Sequence, residues 1–218
     1  MDLERDGWGK VQTSLDECVL DELRDRAFQE GSVGSRCHLD LPIVVETAKL
    51  LKQLLIDLDF LPATAIAIQA ITFNKTASTN WNVAWHQDLV FPFAKKVRSP
   101  EYRLASRKQG INYAQPPLGT LQNLLALRLH LDDCGFSNGP LRVSPGTHKK
   151  GIVPSVEAAE VATRNGEVAC IALKGEAIVM RPLLLHASST ATKPINRRVL
   201  HFVFHTGEEQ AEAWHRAR

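Results

Sequence analysis

Three His-x-Asp pairs give the sequence candidate ligands for a metal ion. On a β-strand, residues two apart face the same side, so the imidazole and carboxylate of such a pair converge. A second histidine from a distant strand would complete the two-histidine, one-carboxylate set of non-haem Fe(II) oxygenases, which leaves coordination positions open. The pairs are His38 with Asp40, His86 with Asp88, and His130 with Asp132. Because the spacing occurs three times, it does not by itself identify the ligands.

The downstream chain supplies a second histidine and an anion-binding group. His186 follows an apolar stretch at 179–185, and Arg197 opens the next predicted strand. A guanidinium at that place can hold the far carboxylate of a small dicarboxylic acid through two parallel hydrogen bonds. Ser188, two residues after His186, has a hydroxyl that can donate to the same carboxylate. These residues favour a metal ion bound next to a dicarboxylate.

The elements that would position these residues are helices followed by strands. Apolar residues recur at helical spacing over 15–28 and 41–58, with Pro42 at a helix-start position. Beyond Pro62, short β-branched or alternating stretches separated by turn-forming residues predict strands. The predicted strands span 65–73, 81–90, 124–131, 141–143, 166–172, 177–185 and 197–205. This order predicts a mainly β protein with N-terminal helices, in which the strands form a jelly roll or barrel.

The length of 218 residues suits a single domain, 1–218. Within it we expect a helical N-terminal part at 1–60 and a β core at 64–205. Residues 94–118 break the strand pattern and are rich in basic residues and proline. They are predicted to form a loop insertion, either a lid over a binding site or a solvated surface segment. Residues 207–218 are predicted to form a polar tail, with a helix as the alternative.

The composition excludes several functional classes. Lys and Arg number 26 and Asp and Glu 24, a net charge of +2 that lacks the concentrated basic face of nucleic-acid binding. No apolar run approaches the ~18 residues of a membrane span, and no secretory signal follows the charged N-terminus. The four cysteines form no Cys-x-x-Cys pair, which favours reduced thiols. We therefore expect a cytoplasmic protein without nucleic-acid or membrane partners, and a monomer or a small homo-oligomer suits this composition equally.

Several motifs in a fixed order point to a known family. The stretches are Phe73-Asn-Lys, Trp85-His-Gln-Asp-Leu-Val-Phe-Pro-Phe, Leu131-Asp-Asp, Asn138-Gly-Pro-Leu-Arg-Val-Ser-Pro-Gly-Thr-His148, and Leu185-His-Ala-Ser with Arg197. Together they resemble the phytanoyl-CoA dioxygenase family of Fe(II)/2-oxoglutarate-dependent oxygenases, over roughly residues 65–205. The combination is far more specific than any one of the motifs.

The resemblance implies a fold, a metal site and a co-substrate. The fold would be a double-stranded β-helix, the jelly-roll core of these oxygenases. The iron ligands would be His86, Asp88 and His186, which would therefore be the catalytic residues. Arg197 and Ser188 would hold 2-oxoglutarate, and O2 would be the second co-substrate.

Some positions depart from the family or lie beside its motifs. Arg128 stands where many members carry a bulky aromatic residue flanking the 2-oxoglutarate pocket. We expect it to bind the co-substrate as a second cation or to shape the substrate site, because a buried arginine needs an anionic partner. Lys75 matches a family lysine beside the first core strand, with a surface position as the alternative. The His130 pair falls where the family has no ligands, and His148 in the scaffold turn is expected to be structural.

Parity along the last predicted strand distinguishes two adjacent arginines. If Arg197 points into the barrel, His201 does so too and either lines the pocket or packs in the core. Arg198 then points outward. A shift of one residue in register would exchange the two arginines.

The resemblance implies a dioxygenase that hydroxylates a C–H bond of a small molecule and releases succinate and CO2. In halogenating relatives a small residue replaces the carboxylate ligand, so the retained Asp88 favours hydroxylation. The basic residues of 94–118, with Arg128 and Arg142, favour an anionic substrate, whose identity the sequence does not give. Two alternatives stay open. One is a cupin-type metal enzyme that needs no 2-oxoglutarate, and the other is a catalytically silent barrel that binds a ligand.

Overall fold

The computed structural model describes residues 2–28, 38–207 and 211–218 of the chain. Its helices are α1 (Leu3–Asp6), α2 (Glu17–Ala27), α3 (Pro42–Asp57), α4 (Leu118–Gln122) and α5 (Ala158–Asn165), with 3-10 turns at His38–Asp40, Phe136–Asn138 and Thr147–Lys150. The two helices predicted from periodicity are present as α2 and α3. Helix α3 begins at Pro42, whose fixed φ and missing N–H suit a first helical turn. None of the helices in these ranges is long and apolar enough to cross a membrane.

The strands form three antiparallel sheets in the part of the chain that the structure describes. They are β1 (Trp8–Gln12), β2 (Ile66–Lys75), β3 (Val83–His86), β4 (Phe91–Phe93), β5 (Arg103–Lys108), β6 (Ile111–Gln115), β7 (Leu124–His130), β8 (Leu141–Val143), β9 (Val168–Cys170), β10 (Glu176–Met180), β11 (His186–Ser188) and β12 (Arg197–His205). The main sheet has the order β1-β10-β7-β12-β2, and a second sheet has the order β3-β11-β8-β9. Ile178 and Val203 of the main sheet share a buried apolar cluster with Leu141 and Val143 of the second, so the two sheets face each other. The predicted class, mainly β with N-terminal helices and a jelly-roll core, is confirmed.

The outer face of the main sheet is apolar and lies under the N-terminal helices. Alternation along β12 places Leu200, Phe202 and Phe204 on this face, and all three are fully buried. They share one core cluster with Leu23 of α2 and Leu51 of α3. The apolar side chains of the main sheet therefore pack against the helices on its outer face. Polar residues of the same strands lie on the inner face, towards the second sheet.

Residues 94–118 are not the loop that the sequence predicted. They contain β5 and β6, which pair with each other and with β4 in a three-stranded sheet. Every residue of β5 is exposed, so no buried face imposes an apolar alternation on it. Its strand conformation depends on backbone pairing with β6, which its side-chain pattern does not reveal.

The C-terminal segment was predicted to be a polar tail or a helix, and both predictions are wrong for residues 211–218. Trp214 is buried and stacks on Phe93, with ring centroids 4.9 Å apart. Ala67 at the start of β2 exchanges two backbone hydrogen bonds with Arg218. This segment is therefore packed against the β core through contacts between residues far apart in sequence.

The cysteines form no disulfide in the described part of the chain. Cys18 is exposed and Cys134 and Cys170 are buried, and all three are free thiols. Burial raises the pKa of Cys170 to about 12, which keeps that thiol protonated. Cys37 lies outside the described residues, so the prediction of reduced thiols is confirmed for the other three.

Candidate active site

The side chains of His86, Asp88 and His186 converge beside the paired strands β3 and β11. His86 ends β3, His186 begins β11, and the two residues are direct partners in the antiparallel pairing of these strands. The chain turns after His86, where the backbone N–H of Asp88 donates to the carbonyl of Pro182. The carboxylate of Asp88 then lies 3.9 Å from His86 Nε2 and 3.7 Å from His186 Nε2. One ligand atom from each residue lies within 4.8 Å of the other two.

Both imidazoles present a lone pair to this point. His86 Nδ1 lies 2.8 Å from the carbonyl of Ala84, and His186 Nδ1 lies 2.9 Å from the carbonyl of Leu184. A carbonyl only accepts hydrogen bonds, so each Nδ1 carries the proton and each Nε2 is free to bind a cation. The backbone therefore fixes the tautomer that metal binding requires.

The charge states at this point also suit a metal ion. Burial lowers the pKa of His186 to about 4, so its imidazole is neutral at pH 7. Burial opposes the charge on Asp88, but His186, His201 and His86 hold its pKa below the ordinary value. Two imidazoles and one carboxylate form a donor set that suits Fe(II) and leaves coordination positions for co-substrates. The residues present thus fit a catalytic metal.

An arginine and a serine lie on the same cavity as the triad. Arg197 begins β12, is buried, and donates from Nη1 to the carbonyl of Gly139. Gly139 has φ +61°, and a Cβ there would lie 2.6 Å from the carbonyl oxygen of Ser189, so glycine is required. The Asn-Gly-Pro turn therefore fixes the Arg197 guanidinium. Ser188 is the last residue of β11 and lines the same cavity as Arg197.

Lys75 is fully buried, so a surface position, the alternative left open above, is wrong. It is the cross-strand neighbour of Arg197. Its Nζ donates to Ser188 Oγ at 3.2 Å and to the carbonyl of Ser189 at 2.6 Å, and lies 5.5 Å from the ring centroid of Trp81. Burial lowers its pKa to about 8, and the Arg197 charge acts in the same direction. The sequence did not place this cation in the site, because its position depends on the register between β2 and β12.

Arg128 on β7 supplies a further buried cation. Its guanidinium lies 5.1 Å from the ring centroid of Phe73, and its Nη1 lies 3.4 Å from His201 Nδ1. Burial lowers its pKa to about 10, and the guanidinium stays charged at pH 7. His201 is its cross-strand neighbour on β12 and lines the same cavity.

These groups surround one cavity of about 100 Å³ between the two sheets. Its lining includes the triad, Arg197, Ser188 and Arg128, together with apolar side chains such as Ile71 and Phe91. Among the described residues that line it, Asp88 is the only acid, whereas Arg128 and Arg197 are both cationic. A cavity with this charge favours an anionic ligand.

In the other two His-x-Asp pairs, the aspartate binds an arginine instead. Asp132 accepts three hydrogen bonds from Arg198, one from its backbone and two from its guanidinium. His130 points into the barrel, so this pair is divided between two faces. Asp40 binds the guanidinium of Arg216, and His38 Nε2 lies 3.2 Å from Thr72 Oγ1.

Two further predictions concern residues outside the triad. Arg198 is partly exposed and paired with Asp132, whereas Arg197 lines the cavity, which agrees with the predicted parity of β12. His148 lies against Gly7, where a Cβ would come within 2.3 Å of its Nδ1. It lines a different pocket from the triad, next to Glu4 and Arg181.

A family model for phytanoyl-CoA dioxygenase (PhyH) matches residues 9–199. The chain belongs to the phytanoyl-CoA dioxygenase family. The resemblance drawn from the motifs is therefore confirmed, and the match spans every residue assigned above to the metal and anion sites. Fe(II), 2-oxoglutarate and O2 are the cofactors of this family, and the residues of the chain fit that set. No curated protein sequence matches the chain significantly.

Several solved structures share the fold. EctD from S. alaskensis in its apoform has a TM-score of 0.64 and 18% identity, over 99% of this chain and 81% of EctD. SnoN, a non-heme α-ketoglutarate-dependent epimerase from nogalamycin biosynthesis, has a TM-score of 0.65 and 16% identity, over 93% and 78%. HygX from Streptomyces hygroscopicus, with nickel and 2-oxoglutarate bound, has a TM-score of 0.65 and 12% identity, over 93% and 83%. At these identities the likeness establishes the fold and not the reaction.

Proposed function

We propose that the chain is an Fe(II)- and 2-oxoglutarate-dependent dioxygenase that hydroxylates a C–H bond of a small molecule. The observation that carries the proposal is the convergence of His86, Asp88 and His186 on the cavity that also contains the Arg197 guanidinium. The reaction takes substrate, O2 and 2-oxoglutarate and gives the alcohol, succinate and CO2. One oxygen atom enters the substrate and the other enters succinate.

Each residue has a defined task in this proposal. His86, Asp88 and His186 hold Fe(II), which supplies the capacity to activate O2 while 2-oxoglutarate provides two electrons. Arg197 and Ser188 would hold the far carboxylate of 2-oxoglutarate, whose 2-oxo acid end would be left for the metal ion. Lys75 donates to Ser188 and adds a positive charge behind the same carboxylate. Arg128 lines the cavity as a further cation for the co-substrate or an anionic substrate.

The substrate class we propose is a small anionic molecule. Arg128 and Arg197 line the cavity, and Lys75 adds a third positive charge behind the lining residue Ser188, whereas 2-oxoglutarate carries two carboxylates. A substrate carboxylate would offset the positive charge that remains. The β5–β6 hairpin is joined to the cavity through β4, whose Phe91 lines it, so we propose 94–118 as a cover for the substrate.

Hydroxylation is the outcome that the retained carboxylate favours. Asp88 occupies the position that a small residue takes in halogenating relatives, so no ligand position is vacated for chloride. The likeness to the epimerase SnoN indicates that one fold supports more than one outcome.

The test is an anaerobic titration of metal-free protein with Fe(II) and then 2-oxoglutarate. We expect the visible metal-to-ligand charge-transfer band of chelated 2-oxoglutarate in the wild type. His86→Ala should abolish it, and Arg197→Ala should raise the 2-oxoglutarate concentration needed by about 100-fold, since a charge-assisted bidentate pair is lost. The matched control is Arg198→Ala, which removes the adjacent, partly exposed guanidinium and should leave the band unchanged.

The other outcomes overturn the proposal in different ways. Iron binding without the band would favour a cupin-type metal enzyme that needs no 2-oxoglutarate. Binding of neither would favour a silent barrel. If the band appears as expected, succinate release with a panel of small carboxylates identifies the substrate, and failure of every anionic compound while a neutral one reacts would overturn the proposed substrate class.

A further inference from the structure

His201 lies behind the metal triad and has no role in the proposed function described so far. It is buried on β12, and its Nε2 lies 3.8 Å from Asp88 Oδ2. Its other nitrogen, Nδ1, lies 3.4 Å from Arg128 Nη1. The imidazole thus stands between a guanidinium and the carboxylate of the triad.

The guanidinium decides which tautomer His201 adopts. Arginine has donors and no acceptor, so Nδ1 must accept the hydrogen bond from Arg128. A neutral imidazole with an accepting Nδ1 carries its proton on Nε2. That N–H faces Asp88, and among the described residues no side chain donates a hydrogen bond to this carboxylate within hydrogen-bond distance.

Carboxylates that bind metals in proteins are usually oriented by hydrogen bonds to their free oxygen. A distance of 3.8 Å is longer than a hydrogen bond, so the N–H of His201 faces Asp88 without yet bonding to it. We propose that His201, with its tautomer set by Arg128, is the positioning residue that donates to Asp88 when this carboxylate binds the metal ion. The inference rests on the proposed metal site. It links the departure at position 128 to the metal through one intervening imidazole.

A second buried histidine provides the comparison for this inference. His130 on β7 also points into the barrel, and Val199, two residues before His201, is its cross-strand neighbour. Neither ring nitrogen of His130 has a hydrogen-bond partner among the described residues. The two histidines therefore share sheet, face and burial, and differ in whether they face Asp88.

The experiment measures metal affinity without 2-oxoglutarate. Metal-free protein is titrated with Co(II) by calorimetry, and the visible Co(II) spectrum reports the ligand geometry. The variants are His201→Phe, which keeps a ring and removes both nitrogens, and His201→Gln, whose amide offers an oxygen to Arg128 and an N–H to Asp88. His130→Phe is the matched control, and near-ultraviolet circular dichroism checks that each variant is folded.

We expect His201→Phe to weaken Co(II) binding by about 10- to 100-fold and to change the Co(II) spectrum. His201→Gln should restore most of the affinity, and His130→Phe should bind as the wild type does. Equal affinity in His201→Phe and the wild type would overturn the inference. So would equal losses in His201→Phe and His130→Phe, or in His201→Phe and His201→Gln. If the wild type itself does not bind Co(II), the metal site fails, which is distinct from failure of the role of His201.

Discussion

The two faces of the main sheet follow the same strands and have opposite chemistry. The outer face carries Leu200, Phe202 and Phe204 against the helices. The inner face carries buried basic groups that lack a carboxylate partner within the sheet, namely Lys75, Arg128, His130, Arg197 and His201. Burying apolar groups stabilises a fold, whereas burying charges without counter-ions opposes it. The outer face therefore stabilises the fold, whereas the inner face keeps buried basic groups at a cost in stability, which a bound anionic ligand would reduce.

Truncation on the outer face should have the largest effect on stability. Phe202→Ala removes a fully buried ring from the cluster under α2 and α3 and should lower the free energy of unfolding by about 3–5 kcal/mol. Urea denaturation measures this loss. Co(II) affinity of the folded variant should match the wild type, because the ring faces away from the cavity. A loss below about 1 kcal/mol would contradict the assignment of the outer face as the main source of stability.

Removing a charge from the inner face should increase the free energy of unfolding. Lys75→Met should raise the free energy of unfolding at pH 7 by about 1–3 kcal/mol without 2-oxoglutarate, because a buried charge is replaced by an apolar chain of similar volume. The pKa of Lys75 in the folded protein is about 8, below its ordinary value of 10.5. Below pH 8 the lysine is charged in both states, so the full cost of burying its charge lowers the stability. This cost decreases as pH rises from 8 and is absent above about pH 10.5. The gain should therefore vanish by about pH 10.5.

The same variant should bind 2-oxoglutarate more weakly than the wild type in the charge-transfer titration, since Lys75 supports Ser188. Stabilisation with weaker co-substrate binding is the expected combination. A Lys75→Met protein that is less stable at pH 7 would show that the lysine is a structural group, and the contrast between the two faces would not hold at this position.

A pH-dependent effect on stability is expected at His130. Burial lowers its pKa to about 3, so the folded chain excludes a proton that the unfolded chain takes up below about pH 6.5. The wild type should lose up to about 1.4 kcal/mol of stability per pH unit from this group as pH falls from 6.5 towards 3. His130→Phe should flatten that dependence. Urea denaturation at pH 7.0 and 5.0 measures it, and identical slopes in both proteins would refute a buried neutral imidazole.

The sequence predicted the residues of the inner face better than it predicted their surroundings. The resemblance carried by the motifs singled out His86, Asp88 and His186, which the structure brings together, and strand parity separated Arg197 from Arg198. Lys75 was not assigned to the site, since its burial depends on which residue of β12 it pairs with.

The missed elements have a related cause. Strand β5 has no buried side to create a period of two, so its charged residues were predicted as a loop. The docking of Trp214 on Phe93 joins positions far apart in the chain, and no local pattern encodes such a contact. Local signals therefore indicated the candidate site residues and the face of β12 on which they lie, while pairing between distant segments needed the structure.

The His38–Asp40 pair has a consequence for self-association of the protein. Strand β2 is an edge of the main sheet, and an open edge invites strands from other molecules to add to it. The His38–Asp40 turn lies along it through the contact with Thr72, and Arg218 occupies the backbone groups of Ala67. The hydrogen bond from Arg216 to Asp40 connects the His38–Asp40 turn to the C-terminal segment. A pair with the spacing of a metal site thus helps to close the sheet against intermolecular strand addition.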